Sequence, residues 1–324
     1  MPDLPTLDDI HAAAGRIAPH AVRTPLVSNA ALDARVGGRV FLKCENLQRT
    51  NSFKFRGACN AIASLSPAER ARGVVAISSG NHAQGIAEAA RLFGVRATVV
   101  MPADAPATKR RRTLQSGAVI VDYDRATEDR DLIAAGIVAT TGAILIHPFN
   151  DPRVIAGQGT AGLEIAEDCL AMDIRPDAVV VPCGGGGLSA GVGLAVRARF
   201  PATAIVLAEP AGFDDYARSL AAGHPVANAG ATGSVQDALL APSPGALGFA
   251  INRQNEASAV AVSDDEALAA VAYAAREMKL IVEPGGAAAL AAVLEGRIEP
   301  HGRTTVVILS GGNIDDAMLQ RALG

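Results

Sequence analysis

One lysine stands between two aromatics, in Ser52-Phe53-Lys54-Phe55, and runs into Arg56-Gly57-Ala58. A lysine amine that has lost its proton is both a base and a nucleophile towards aldehydes, and desolvation favours that form. Phe53 and Phe55 lower the local polarity and Arg56 adds a positive charge, so both push Lys54 towards the free amine. Most lysines are solvated surface charges; the case for Lys54 rests on its company. Four consecutive glycines, Gly184-Gly185-Gly186-Gly187, lie between an apolar run ending in Pro182-Cys183 and an apolar stretch opening with Leu188. Such a bend frees the backbone to expose its N–H groups at a helix start, which is a phosphate cradle. No Lys-Ser or Lys-Thr follows the glycines, which excludes a nucleotide P-loop. Ser78-Ser79-Gly80-Asn81-His82 and Ser310-Gly311-Gly312-Asn313 also follow apolar runs, and Glu209-Pro210 closes another.

The elements that must position these loops alternate along the chain. Strands are expected at 40–44, 74–78, 97–101, 118–122, 143–146, 178–182, 204–208 and 305–309, and helices at 53–65, 81–93, 106–116, 126–140, 154–169, 188–199, 264–278 and 286–294. The strand runs are continuously apolar, so both faces should be covered; this predicts an α/β protein with mainly parallel sheets, whose ligands sit where strands run into helices. At 324 residues the chain should form two lobes. A net charge of −4 gives no basic footprint for nucleic acid, and no apolar stretch is long enough for a membrane span. Met1-Pro2-Asp3-Leu4-Pro5 does not resemble a signal peptide. Cys44, Cys59, Cys169 and Cys183 lack CxxC spacing, which argues against zinc and for reduced thiols in the cytoplasm.

The set SFKFRGA (52–58), SSGNHAQG (78–85), HPFNDPRVIAGQGT (147–160), CGGGGLSAG (183–191), AEPAGFDD (208–215), EPGGAA (283–288) and SGGN (310–313) resembles, in order, the fold type II pyridoxal-phosphate enzymes of the tryptophan-synthase fold, in the threonine/serine dehydratase and serine racemase branch. The resemblance implies a large cofactor domain (1–73 and 150–324), a small mobile inserted domain (74–149) and a homodimer. It implies that Lys54 holds pyridoxal 5'-phosphate as a Schiff base and is the general base, that Phe53 flanks the ring, and that Gly184, Gly185, Gly186, Gly187 and Leu188 hold the phosphate. Asn81 would meet the ring hydroxyl and Ser310 the ring nitrogen. Ser78, Ser79, Asn81 and His82 would receive the substrate carboxylate. Ser79 has two readings, a second catalytic group as in the racemase or a plain helix cap; His82 reads as a lining residue.

The implied activity is conversion of a β-hydroxy amino acid (threonine, serine or 3-hydroxyaspartate) to a 2-oxo acid and ammonia, with serine racemisation as the close alternative. Arg130 looks like the arginine that greets a second carboxylate, although it could pair with acids on its own helix. Phe149 looks more like a dehydratase than a mammalian-type racemase. Glu209, Asp215 and the Phe213 carbonyl resemble a Mg²⁺ or Ca²⁺ site. Gln236-Asp237-Ala238 and Gly285-Gly286 depart from the family pattern. A dinucleotide-dependent oxidoreductase is a distant alternative, because Gly185-x-Gly187-x-x-Ala190 with Glu209 fits a relaxed Rossmann pattern.

Overall fold

The run Ala178-Val179-Val180-Val181-Pro182 buries every side chain, which demands cover on both faces and selects parallel pairing. The computed structural model describes residues 4–105, 107–230 and 232–324. The reading of Met1-Pro2-Asp3 and the first position of the helix expected at 106–116 fall outside them.

Ten strands are present among the described residues: β1 (Leu26–Ser28), β2 (Arg39–Lys43), β3 (Val74–Ile77), β4 (Ala97–Pro102), β5 (Val119–Tyr123), β6 (Ile144–Leu145), β7 (Ala178–Pro182), β8 (Ala204–Pro210), β9 (Ser258–Val262) and β10 (Thr304–Ile308). They form a six-stranded sheet of order β1-β2-β10-β7-β8-β9 and a four-stranded sheet of order β5-β4-β3-β6. Every pairing is parallel except β1 with β2. Because β2, β10 and β7 are neighbours, the loops leaving their carboxyl ends are neighbours too.

Two strands escape the sequence pattern, and both are edges. β1 is a three-residue piece paired antiparallel, and β9 is a small-residue alternation that buries only its last position. β5 is also an edge and is largely uncovered, contrary to the expectation of cover on both faces. The helix expected from residue 126 begins at Arg130, because the Asp129 side chain accepts from the N–H groups of Asp131 and Leu132 and caps it there.

The helix Lys54–Ala63 lies between the two sheets. Phe55, Cys59 and Ile62 pack into one core with Val74, Val99 and Met101 of the small sheet. Phe53 packs instead with Val181, Leu188 and Ile308 of the large-sheet core. The two aromatics of the opening tetrapeptide therefore anchor opposite sides, and Lys54 sits at the seam.

Candidate active site

The chain before Lys54 is tightly held. Thr50 and Asn51 are left-handed, with φ of 61° and 57°, a conformation that costs a β-branched residue most. The loop after β10 clamps them: Asn313 Nδ2 donates to Thr50 O at 2.8 Å and Gly312 N to Asn51 O at 2.8 Å. Ser52 bridges to Gly311, and Phe53 N donates to Ser310 O at 3.1 Å. The loop that presents Ser310 thus also fixes where Lys54 emerges.

The sequence contains four lysines, at 43, 54, 109 and 279. Lys43 is buried against Glu164 and Asp168, Lys109 pairs with Asp237, and Lys279 lies at the surface on the Arg276 carbonyl. Lys54 has no carboxylate partner among the described residues; its Nζ donates to Pro148 O at 2.9 Å and lies 5.1 Å from the Phe53 ring centroid. Burial lowers its pKa to about 8. Arg56 does not give Lys54 the expected help. Arg56 is buried on the other side of its helix, bidentate to Glu45 and also bonded to Glu164, so its charge is neutralised away from Lys54. Desolvation alone lowers the Lys54 pKa.

Lys54 opens into a cavity of about 360 Å³ whose lining includes Phe53, Ser78, Ser79, Asn81, His82, Arg130, Gly184, Gly185, Gly186, Gly187, Leu188 and Ser310. Every active-site position named from the sequence therefore faces one space. The N–H groups of Gly184 to Gly187 donate to no other described group of the protein, and the helix Gly187–Arg199 starts beneath them. These converging donors form an anion cradle. The glycines serve close packing more than free rotation. A Cβ on Gly185 would lie 2.2 Å from the Phe149 ring, and only Gly186 of the four is left-handed, at φ 83° with Tyr216 Oη 1.7 Å from its Cβ position.

The helix Asn81–Phe93 has Gly80 at its N-cap, without a capping side chain. Ser79 is therefore not a cap, and the first N–H groups of the helix remain available to a carboxylate. Ser78 Oγ accepts from Gly80 N at 3.1 Å. His82 Nε2 bonds Ile146 O at 3.0 Å, while Nδ1 is buried without a partner. Burial first, and the Lys54 charge second, push its pKa down to about 3; it is a neutral lining residue. Arg130, the first residue of its helix, is half exposed at the mouth, and its nearest acid is Asp131 at 3.8 Å.

Four participants carry weak sequence signals. Glu283 Oε1 accepts from Asn81 Nδ2 at 2.5 Å, and Asn313 Nδ2 donates to Asn81 Oδ1 at 2.7 Å. A Cβ on Gly311 would strike Glu283 Oε1 at 2.1 Å, so that glycine is required by the pair. Burial pushes the Glu283 pKa up to about 7. His147 Nδ1 accepts from Asn150 N at 3.0 Å beside the cavity. Lys109 and Asp237 also line the cavity and join the two sheets' elements across its mouth, 2.5 Å apart. Glu283 opens the EPGGAA segment and Asp237 lies in the Gln236-Asp237-Ala238 departure, which were the available signals; nothing in the sequence pairs Asp237 with Lys109, 128 residues away.

Beyond the cradle, Glu209 is buried, with its two oxygens accepting from Tyr216 N and Ala217 N at 2.8 and 2.9 Å. Its carboxylate faces a helix start and is not among the groups lining the cavity, which counts against the ribose-binding role of the oxidoreductase reading. Asp215 Oδ1 accepts from Asn228 Nδ2 at 2.7 Å, whereas Oδ2 is buried without a partner. No group of three His, Cys, Asp or Glu side chains suited to a metal occurs among the described residues. No helix among them is long and apolar enough to cross a membrane.

Comparison with known proteins agrees with this geometry. Residues 17–311 match the family model described as pyridoxal-phosphate dependent enzyme. An L-threo-3-hydroxyaspartate ammonia-lyase from a Pseudomonas species is 42% identical, over 96% of this chain and 96% of its own. A threonine deaminase from T.th. superposes with a TM-score of 0.91 at 43% identity, covering 96% of this chain and 99% of that one. Maize serine racemase gives a TM-score of 0.93 at 37% identity, over 99% of this chain and 97% of its own. The glycine cradle and an amine without a counter-charge, facing the same cavity, fit the group that the family is named for, and the chain belongs to the pyridoxal-phosphate dependent enzymes.

Proposed function

We propose that this enzyme is an ammonia-lyase that converts a β-hydroxy amino acid to a 2-oxo acid and ammonia, with a dicarboxylic substrate such as 3-hydroxyaspartate favoured. The carrying observation is Lys54, an amine with a pKa near 8 and no carboxylate partner, in the same cavity as four free glycine N–H groups. Gly184 to Leu188 would hold the cofactor phosphate, Lys54 its aldehyde carbon, Asn81 its hydroxyl and Ser310 its ring nitrogen. When bound, the cofactor withdraws the electron pair left on the substrate α-carbon. Lys54, once free, takes the α-proton as general base. The open N-terminus of the helix Asn81–Phe93, with Ser78 and Ser79, receives the α-carboxylate. The β-hydroxyl leaves as water, and water is taken up again when ammonia is released, so the net change is loss of ammonia alone.

Arg130 supports the dicarboxylic preference, because it stands at the cavity mouth with only a distant ion pair to break. Ser79 lines the same cavity and supports a secondary racemase activity through a second proton-handling hydroxyl. The segment 74–149, which carries the small sheet, would move as a lobe and exclude water on closing. Glu209, Asp215 and the Phe213 carbonyl would hold Mg²⁺ or Ca²⁺; the unpartnered Asp215 Oδ2 suits a hard cation. Tyr216, next along from Asp215, abuts Gly186, so such an ion would brace the cradle.

The test is a substrate panel of L-threonine, L-serine, D-serine and the 3-hydroxyaspartate isomers, read by ammonia and oxo-acid release. A 3-hydroxyaspartate isomer should have the highest kcat/KM, and Arg130→Ala should lower that value by about 10-fold or more while changing threonine turnover less than about 3-fold. Equal losses on both would remove Arg130 from substrate choice, and no oxo acid from any member would overturn the lyase reading.

A further inference from the structure

Gln158 occupies an unusual position. It lies on the long helix Pro152–Ala171, is 0% exposed, and neither its Nε2 nor its Oε1 has a hydrogen-bond partner. Its neighbours are Gly157, Gly159, Ala161 and Gly162 along a closely packed helix face. Small residues there let the lysine helix and the cradle helix approach, and an amide in their midst is expensive unless something satisfies it.

The side chain spans the two elements that make the site. Its Cγ lies 3.2 Å from the Cβ position of Gly57, one turn along from Lys54, and its Oε1 lies 2.9 Å from the Cβ position of Gly187. It also lines the cavity. The cradle above it presents N–H donors and no acceptor to an anion. A half-turn of the amide exchanges its two ends and brings Nε2 to the place now taken by Oε1.

We infer that Gln158 is a further ligand of the cofactor's phosphate, donating from Nε2 to a phosphate oxygen beside the Gly187 N–H. A hydrogen bond to a charged acceptor is stronger than one between neutral groups, and here it would also satisfy a buried donor. Gln158 is thereby a discriminating residue, one that reads the anionic tail rather than the ring. The inference rests on the family's cofactor, and borohydride labelling of Lys54 in the same variants separates its failure from failure of that assignment.

The experiment titrates apoprotein with pyridoxal phosphate and, separately, with pyridoxal, following the cofactor's own absorption. Gln158→Leu should weaken pyridoxal phosphate by about 10–100-fold and pyridoxal by less than about 3-fold. Gln158→Glu, which sets a carboxylate against the phosphate, should weaken pyridoxal phosphate further still. Equal losses for the two compounds, or none, would overturn the assignment and leave Gln158 a packing residue. Should both variants fail to fold, the wild-type apoprotein labelled with ¹⁵N is titrated with inorganic phosphate. A saturable shift of the Gln158 side-chain amide resonance is expected; an unmoved resonance while the cradle amides shift would overturn it.

Discussion

Lys43 and Lys54 are eleven positions apart, yet the protein treats them in opposite ways: Lys43 is fully buried, whereas Lys54 is half-buried and lines the cavity. Lys43 Nζ lies 2.6 Å from Glu164 and 3.8 Å from Asp168, and it also donates to Thr24 O. Together with Arg56, Glu45 and Glu164 it forms a network that ties β2, the lysine helix and the helix Pro152–Ala171 into one block. Burial alone would raise the Glu45 pKa, but the Arg56 charge and hydrogen bonds hold it below the usual carboxylate range. Lys54 receives one backbone carbonyl and no carboxylate. A buried cation with counter-charges is an anchor; a partly desolvated one without them is held ready to lose its proton. The first arrangement fixes the helix from which the second projects.

That contrast can be broken from the Lys54 side. Lys54→Ala should lower turnover by about 10⁴-fold or more, since it removes both the covalent hold and the base, while the thermal midpoint of the apoprotein does not fall. A fully folded variant with substantial activity in steady-state assays would count against the assignment.

It can also be broken from the anchor side. Arg56→Leu leaves Glu45 buried and uncompensated and should cost about 3–5 kcal/mol of stability in denaturant unfolding. Per folded molecule, kcat should change little, because Arg56 does not set the Lys54 pKa.

The smallest and sharpest effect is the pH dependence of the apoprotein. The Lys54 pKa falls on folding from 10.5 to about 8, so the unfolded chain binds that proton more tightly. The site's contribution to stability is therefore complete above 10.5 and is lost as the pH falls through 8. Lys54→Met should be more stable than wild type at pH 7, and the difference should vanish between pH 8 and 10.5 in parallel unfolding curves. A pH-independent difference would mean that the amine is not desolvated.

Much of this site was readable from the sequence because its parts sit on loops after strongly apolar strands. Ser78 to His82, Gly184 to Leu188 and Ser310 needed only the order of strand, small residues and helix. What stayed hidden depended on direction or distance. Arg56 read as a neighbour of Lys54, yet helical geometry turns it to the opposite side, into partners at 45 and 164. Phe53 and Phe55 looked alike but enter different cores. β1 and β9 were missed because edge strands bury too little to need a continuous apolar run. The glycines were found for a partly different reason than the structure gives, since Gly185 is dictated by the Phe149 ring and Gly311 by Glu283.

The most direct test of the account is where the cofactor attaches. The holoprotein is reduced with borohydride, digested and mapped by mass spectrometry. One pyridoxyl-phosphate adduct is expected, on Lys54, with Lys43, Lys109 and Lys279 unmodified. An adduct on Lys43 or Lys109, or no adduct on a yellow protein, would contradict it.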